Sequence, residues 1–446
     1  MTPSPEFLVI GLDGVPYTLL QDLCDQQVMP HIARLVDRGQ SKPMTSSLPD
    51  VSSTAWTGFM TGTNPGKHGI FGFFEAAYQD YSLEFLSARD IQAPTLWEQL
   101  SNAGKKSLIV NVPQTYPASE INGVLLSGFV APEIEKAVWP KSLIPELQEL
   151  GYIIDVDAWI AREDLAQFLE ELFRVLGARI RALHHLWDKE PWDFIMAVIT
   201  GTDRLHHYLW DAVVDESHQL HHRVMEYYTA VDKAIGELLE RISPETSVIL
   251  LSDHGFTEII REVNLNAWLR NQKYLQLTTP TPESLADMAP QSIAFALDPG
   301  RIYLNRADRF RQGWLQHNNE CEQLRDELRG RIMTDLVIQD DAGNLVNPVE
   351  SVFLPEEIYK GPHLKKAPDL ILLNKPGYDF KGNVKIRDVA RNDVLTGAHT
   401  YRNASLVISS PKSVAIKEID SVEDIAPIIL DAMLSAPNNK GNRAGI

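Results

Sequence analysis

The chain has 446 residues, 44% of them apolar and 23% charged, and a formal net charge of −19. That length exceeds one ordinary hydrophobic core, so a large α/β domain with an elaboration, or two domains, is expected. The acidic balance argues against a nucleic-acid-binding surface, which needs a basic face, but permits a small phosphorylated substrate, because bound metal ions would invert the local field.

The start, Met1-Thr2-Pro3-Ser4-Pro5-Glu6, lacks the basic run of a secretory signal. No apolar stretch reaches the roughly 18 residues of a membrane helix, so a cytoplasmic protein without membrane contact is expected. Phe7–Leu12 is a nearly continuous apolar run ending at Asp13-Gly14. Such a run suits a strand buried on both faces of a parallel sheet. Cys24 and Cys321 are too few for a disulfide framework and read as buried thiols. Pro30 marks a helix start. Ser52 and Ser53 stand just before Thr54-Ala55-Trp56-Thr57-Gly58-Phe59-Met60, a second helix start. There a serine could cap the helix, or its hydroxyl could share space with free N–H groups that favour a phosphoryl oxygen.

Ser107–Val110, Val124–Leu126, Phe194–Ile199, Ser247–Leu251 and Leu370–Leu373 read as further buried strands. Between them, Asp164–Trp187 and His222–Ile242 repeat apolar residues at helical spacing. Strands alternating with helices predict a doubly wound α/β fold, with a mostly parallel central sheet and helices on both faces. Residues 259–365 break the rhythm with polar, turn-rich sequence and are expected to form an inserted cap or lid. That leaves 1–258 and 366–435 as the core and 436–446 as a frayed tail.

The chemistry-bearing residues gather where these strands end. Asp13 and Asp253-His254 directly follow apolar runs, Asp203 follows Phe194–Ile199 by a few residues, and His399 lies near the end of the chain. In open α/β sheets ligands bind outside the carboxyl ends of the strands, so these distant segments are expected on one edge. Asp203 and His207 are one helical turn apart and share a face. Mixed carboxylate and imidazole sets suit zinc or manganese better than calcium or magnesium.

Together with Pro49-Asp50-Val51-Ser52 before Ala55-Trp56, Thr61-Gly62-Thr63-Asn64-Pro65-Gly66-Lys67-His68-Gly69-Ile70, Asn111-Val112-Pro113-Gln114-Thr115-Tyr116-Pro117 and Gly128-Phe129-Val130-Ala131-Pro132, these segments resemble the alkaline phosphatase superfamily. The likeness is to the microbial branch of the type I phosphodiesterase/nucleotide pyrophosphatase family and spans nearly the whole chain. It implies an alkaline-phosphatase-like fold and two divalent metal ions, most often zinc, with manganese as the alternative. One ion would be held by Asp203, His207 and His399. The other would be held by Asp13, Asp253 and His254, with Ser52 as ligand and nucleophile. His68 and His206 are not ligands in that pattern.

The resemblance further implies hydrolysis of a phosphodiester or nucleotide pyrophosphate through a phospho-serine on Ser52. A phosphomonoester is the alternative, because the family's Asn three residues after the nucleophile is Ala55 here. The Ser53 N–H, Arg204 and Arg402 are the expected substrate contacts, although either arginine could instead form a structural or surface ion pair. A phosphomutase and a metal-binding protein without turnover are lesser alternatives. The oligomeric state is left open.

Overall fold

The computed structural model describes residues 4–316, 318–340, 342–411 and 416–435; the expected tail at 436–446 lies outside them. The chain forms strands β1 (Phe7–Leu12), β2 (Gln40–Met44), β3 (Ser107–Val112), β4 (Gly123–Ser127), β5 (Val138–Trp139), β6 (Phe194–Ile199) and β7 (Ser247–Leu251), of which β2 and β5 do not correspond to the apolar runs. Further along lie β8 (Gly255–Glu258), β9 (Ala294–Leu297), β10 (Arg301–Leu304), β11 (Val349–Phe353), β12 (Leu370–Asn374), β13 (Gly397–Thr400) and β14 (Ala404–Ser409).

One eight-stranded sheet runs in the order β2-β14-β7-β1-β6-β3-β4-β5. Its five central strands are parallel, and the strands beyond them pair antiparallel. Every residue of β1, β6 and β7 is buried, as a strand covered on both faces requires.

Alternation along β1 divides the core in two. Leu8, Ile10 and Leu12 pack with helices α1 (Pro30–Arg38), α4 (Leu165–Trp187), α5 (Gly201–Val214) and α6 (His221–Leu239). Phe7 and Val9 face α2 (Ser52–Thr61), α3 (Leu96–Asn102) and α7 (Ile425–Leu434) on the other side. The helix edges follow local sequence. Pro30 opens α1, and the Asp164 side chain accepts the Gln167 N–H at the start of α4. All ten residues of α2 are buried, among them Trp56 and Phe59 at 0% exposure. Each such side chain contributes about 1.5–3 kcal/mol of burial, so α2 is held firmly against the sheet.

Leu370–Asn374 corrects one strand assignment. It lies outside the central sheet, in an antiparallel four-stranded sheet ordered β9-β10-β12-β11. A short apolar run gives no sign of which sheet will bury it. This second sheet and Asn319–Asp335 build a separate core that includes Phe295, Tyr303, Leu328 and Leu370. The layer continues past residue 365: Tyr378–Lys381 and Ala390–Arg391 flank Arg261–Asn264 in a further small sheet. None of the described helices is long and apolar enough to cross a membrane.

Candidate active site

The carboxyl ends of β1, β6 and β7 deliver Asp13, the start of α5, and Asp253-His254 to one edge of the sheet. β13 pairs with β8, placing His399 opposite Phe256. Two groups of metal-ligand type result, Asp203–His207–His399 and Asp13–Asp253–His254. Within each, the potential ligand atoms lie within 4.8 Å of one another.

In the first group, His399 Nε2 is 3.2 Å from Asp203 Oδ1 and 3.0 Å from His207 Nε2. In the second, His254 Nε2 is 3.3 Å from Asp253 Oδ2 and 3.7 Å from Asp13 Oδ1. The groups adjoin, with His254 Nε2 3.9 Å from Asp203 Oδ1 and the His254 and His399 rings stacked at 3.7 Å.

The three imidazoles share one orientation. The Nδ1–H of His207 donates to the Gly397 carbonyl (3.2 Å), that of His254 to Gly255 (3.0 Å) and that of His399 to Asp50 (2.9 Å). A carbonyl can only accept, so Nδ1 carries a proton in each ring, and wherever the ring is neutral Nε2 turns its lone pair into the cluster, the arrangement typical of metal-bound histidine. Burial pushes the pKa of His254 down to about 3 and that of His207 down to about 4, so both rings are neutral. Two Nε2 atoms 3.0 Å apart, with carboxylates beside them, are complementary to a cation. Among the described residues, no hydrogen-bond donor reaches the buried Asp253 Oδ2. Burial, then the charges of Asp253 and Asp203, raise the Asp13 pKa well above normal; burial raises Asp253 to about 6. Asp203 goes the other way: burial opposes its charge, but positive charge shared over His207 and His399, the hydrogen bond from His399 and the nearby Arg204 outweigh it, so any proton this group holds sits on an imidazole and not on the carboxylate. Both groups therefore fit divalent metal ions in donor type and charge.

Ser52 Oγ points into the second group, 3.4 Å from Asp13 Oδ1 and 3.2 Å from His254 Nε2. Neither serine caps α2. Its N-cap is Val51, and no side chain closes a cap hydrogen bond. Ser53 Oγ is buried and has no hydrogen-bond partner among the described residues.

The remaining expected residues separate clearly. Arg204 pairs with Asp155 at 2.9 Å, lies 3.8 Å from Asp203 Oδ2, and stacks on the Phe129 ring at 3.8 Å. Arg402, whose side chain is 62% exposed, pairs with Glu350 at 2.7 Å. His206 is buried between the Gly14 carbonyl and the Tyr228 hydroxyl. His68 is buried at the end of a short helix, its Nδ1 accepting the Ile70 N–H. Neither belongs to the two metal-ligand groups.

Several supporting groups escaped sequence reasoning. Trp56 Nε1–H donates to Asp13 Oδ2 (3.1 Å), the Gly14 N–H to Asp253 Oδ1 (3.1 Å) and the Thr202 hydroxyl to the Asp13 carbonyl (2.7 Å). Trp56 had a usable signal, being one helical turn after Ser52 and so on the same face.

A phosphoester hydrolase is the class of protein that the family match assigns. The family model described as type I phosphodiesterase / nucleotide pyrophosphatase matches residues 7–402, and the chain belongs to that family. Among solved structures, phosphonoacetate hydrolase from Sinorhizobium meliloti 1021 with phosphonoformate superposes at a TM-score of 0.61 and 16% identity, over 97% of each chain. An inactive variant of murine ectonucleotide pyrophosphatase / phosphodiesterase 5 with AMP gives 0.55 and 14%, over 98% of this chain and 97% of that one. The human protein of that name gives 0.55 and 14%, over 96% and 94%. At these identities the likeness establishes the fold. No curated protein matches the chain in sequence.

Proposed function

We propose that the chain hydrolyses a phosphodiester or nucleotide pyrophosphate by passing the phosphoryl group to the Ser52 hydroxyl and then to water. The placement of Ser52 Oγ carries this reading. It lies 3.2 Å from His254 Nε2 and 3.4 Å from Asp13 Oδ1, at the N-terminus of a fully buried helix. Asp203, His207 and His399 would hold one divalent ion; Asp13, Asp253, His254 and Ser52 would hold the other. Zinc suits these donors best, with manganese the alternative. When bound, the ions would neutralise the carboxylates, acidify a hydroxyl or water, and stabilise the entering and leaving oxygens.

The protein's own groups supply position. The open first turn of α2 presents N–H groups, that of Ser53 among them, to a phosphoryl oxygen. Trp56 and the Gly14 N–H fix the orientation of the Asp13 and Asp253 carboxylates. Ser52 gives up its proton to water as its oxygen bonds to phosphorus and the opposite, in-line bond to the departing oxygen breaks; from a diester, the phosphorus on Ser52 keeps its remaining ester group. Water then cleaves phospho-Ser52 and restores the hydroxyl. Two successive in-line displacements give net retention at phosphorus. Arg204, fixed by Asp155 and Phe129, would add positive charge beside Asp203. The region 259–365 would act as a cap and, with 133–190, line the substrate pocket.

A phosphomonoester is the second reading, favoured by Ala55. Fully buried and ending in a methyl group, it offers no donor to a non-bridging diester oxygen. The test compares kcat/KM on bis(p-nitrophenyl) phosphate, p-nitrophenyl phosphate and a nucleoside p-nitrophenyl ester, with and without added zinc or manganese. Preference for the two diesters supports the first reading and preference for the monoester the second. No metal-dependent turnover of any of them would remove both.

A further inference from the structure

Thr202, Asp203, His206 and His207 all lie in the first two turns of α5. Asp203 and His207, four residues apart, belong to the first metal-ligand group. Thr202 and His206 repeat that spacing one residue earlier, so they share a neighbouring face of the helix. What they hold is the Asp13-Gly14 turn. The Thr202 hydroxyl donates to the Asp13 carbonyl at 2.7 Å, and His206 Nδ1–H donates to the Gly14 carbonyl at 2.9 Å. Whatever the charge of the ring, a hydrogen bond to a carbonyl requires the proton on Nδ1. The Tyr228 hydroxyl hydrogen-bonds to the other ring nitrogen, and Phe256 and Trp210 meet the ring edge-on at 5.0 and 5.2 Å. These contacts leave the fully buried ring one orientation.

Gly14 is the position that needs holding. Its φ is +66°, and a glycine has no side chain to restrict its two soft dihedrals. The peptide unit joining Asp13 to Gly14 is planar, so the carbonyl taken by Thr202 and the Gly14 N–H turn together. That N–H donates to Asp253 Oδ1 at 3.1 Å. His206 grips the next peptide unit, on the far side of the same Cα. The Gly14 Cα also lies against His254, where a Cβ would meet the ring Cε1 at 3.1 Å. One turn of backbone thus carries Asp13, aims Asp253 and abuts His254, the three members of the second group.

We infer that His206, acting with Thr202, is a positioning residue for the second metal-ligand group. By fixing the peptide units on both sides of Gly14, the pair holds Asp13, Asp253 and His254 in place for a divalent ion. The inference rests on the two-metal part of the proposed function and not on the phosphoryl transfer. The same helix supplies Asp203 and His207, so a merely structural loosening of α5 would disturb the first group at least as much. Positioning predicts a loss confined to the second group.

Zinc uptake by the full chain, stripped of metal and titrated against a chromophoric chelator, tests it without reference to turnover. Wild type is expected to bind two ions. In His206→Phe, which keeps a buried ring without a donor, one ion should bind at the wild-type midpoint and the other about 10- to 100-fold more weakly. His206→Asn, whose amide places a donor near the Nδ1 position, should recover most of that loss. Thr202→Val removes the hydroxyl at nearly constant shape and should also weaken one ion only, so it decides the matter if the His206 variants do not fold. Cobalt identifies the group affected. The absorption spectrum of the ion that His206→Phe retains should match that of Asp253→Ala, which lacks a second-group ligand, and differ from that of Asp203→Ala. Both midpoints within twofold of wild type, both ions weakened alike, no recovery in folded His206→Asn, or a retained ion matching Asp203→Ala would overturn the inference and leave the two-metal reading standing. A wild-type chain that binds no zinc would overturn that reading and the inference with it.

Discussion

Trp56→Phe should weaken metal binding while leaving the nucleophile in place. The indole N–H donates 3.1 Å to Asp13 Oδ2 in a buried site, and phenylalanine keeps the ring but removes the donor. A hydrogen bond to a charged group contributes about 1.5–3 kcal/mol, and each ~1.4 kcal/mol is a factor of ten. Apparent metal affinity should therefore fall about 10- to 100-fold, in the range found when groups orienting metal ligands are removed. There is also a packing cost. The indole fills the space over the Gly11 backbone, where a Cβ would meet Trp56 Cη2 at 2.6 Å, and the smaller ring leaves a void there. That should lower stability by about 1–3 kcal/mol. The assay is hydrolysis titrated against buffered zinc, with calorimetric melting to confirm the fold. An unchanged zinc midpoint in a folded variant would refute the assigned role of Trp56.

Asp253→Ala should lose both metal and turnover, because it removes a buried anionic donor 3.3 Å from His254 Nε2; elemental analysis should find close to two metal ions per wild-type chain and fewer in the variant. Full activity after exhaustive chelation, with no metal found, would contradict the two-metal reading. Ser53→Ala should keep most activity and at least wild-type stability, because its buried hydroxyl has no partner to lose; a large fall in kcat would show that the hydroxyl itself acts. Arg402→Ala should change stability by less than about 1 kcal/mol and leave hydrolysis of p-nitrophenyl phosphate nearly unaltered, since the guanidinium is largely exposed and paired with Glu350. A large rise in KM would place it on the phosphate.

Periodicity and strand-end carboxylates made the architecture legible. The apolar runs at Phe7, Phe194 and Ser247 did become adjacent parallel strands, and that adjacency brings Asp13, Asp203 and Asp253 together across some 240 residues. Leu370–Asn374 was misplaced because hydrophobicity reports burial and does not identify the sheet that provides it. Ser52 and Ser53 were ambiguous for a related reason: a serine at a helix start can cap it, and only the three-dimensional N-cap at Val51 removes that use. The contacts that orient the histidines were hidden because they end on main-chain carbonyls of Asp50, Gly255 and Gly397, which no residue identity reveals. Arg204, beside Asp203, and Arg402, just after His399, look alike in sequence. Their partners distinguish them, Asp155 and Phe129 for one and Glu350 for the other.

Phosphoryl transfer to Ser52 is tested most directly by acid-quenching the metal-loaded enzyme during turnover of a labelled phosphate ester and locating the label by peptide mass spectrometry. The Ser52 hydroxyl, 3.2 Å from His254 Nε2, should carry the phosphoryl group, and Ser52→Ala should retain metal but give no labelled peptide and almost no turnover. A label on Ser53, or wild-type rates in Ser52→Ala, would contradict the account.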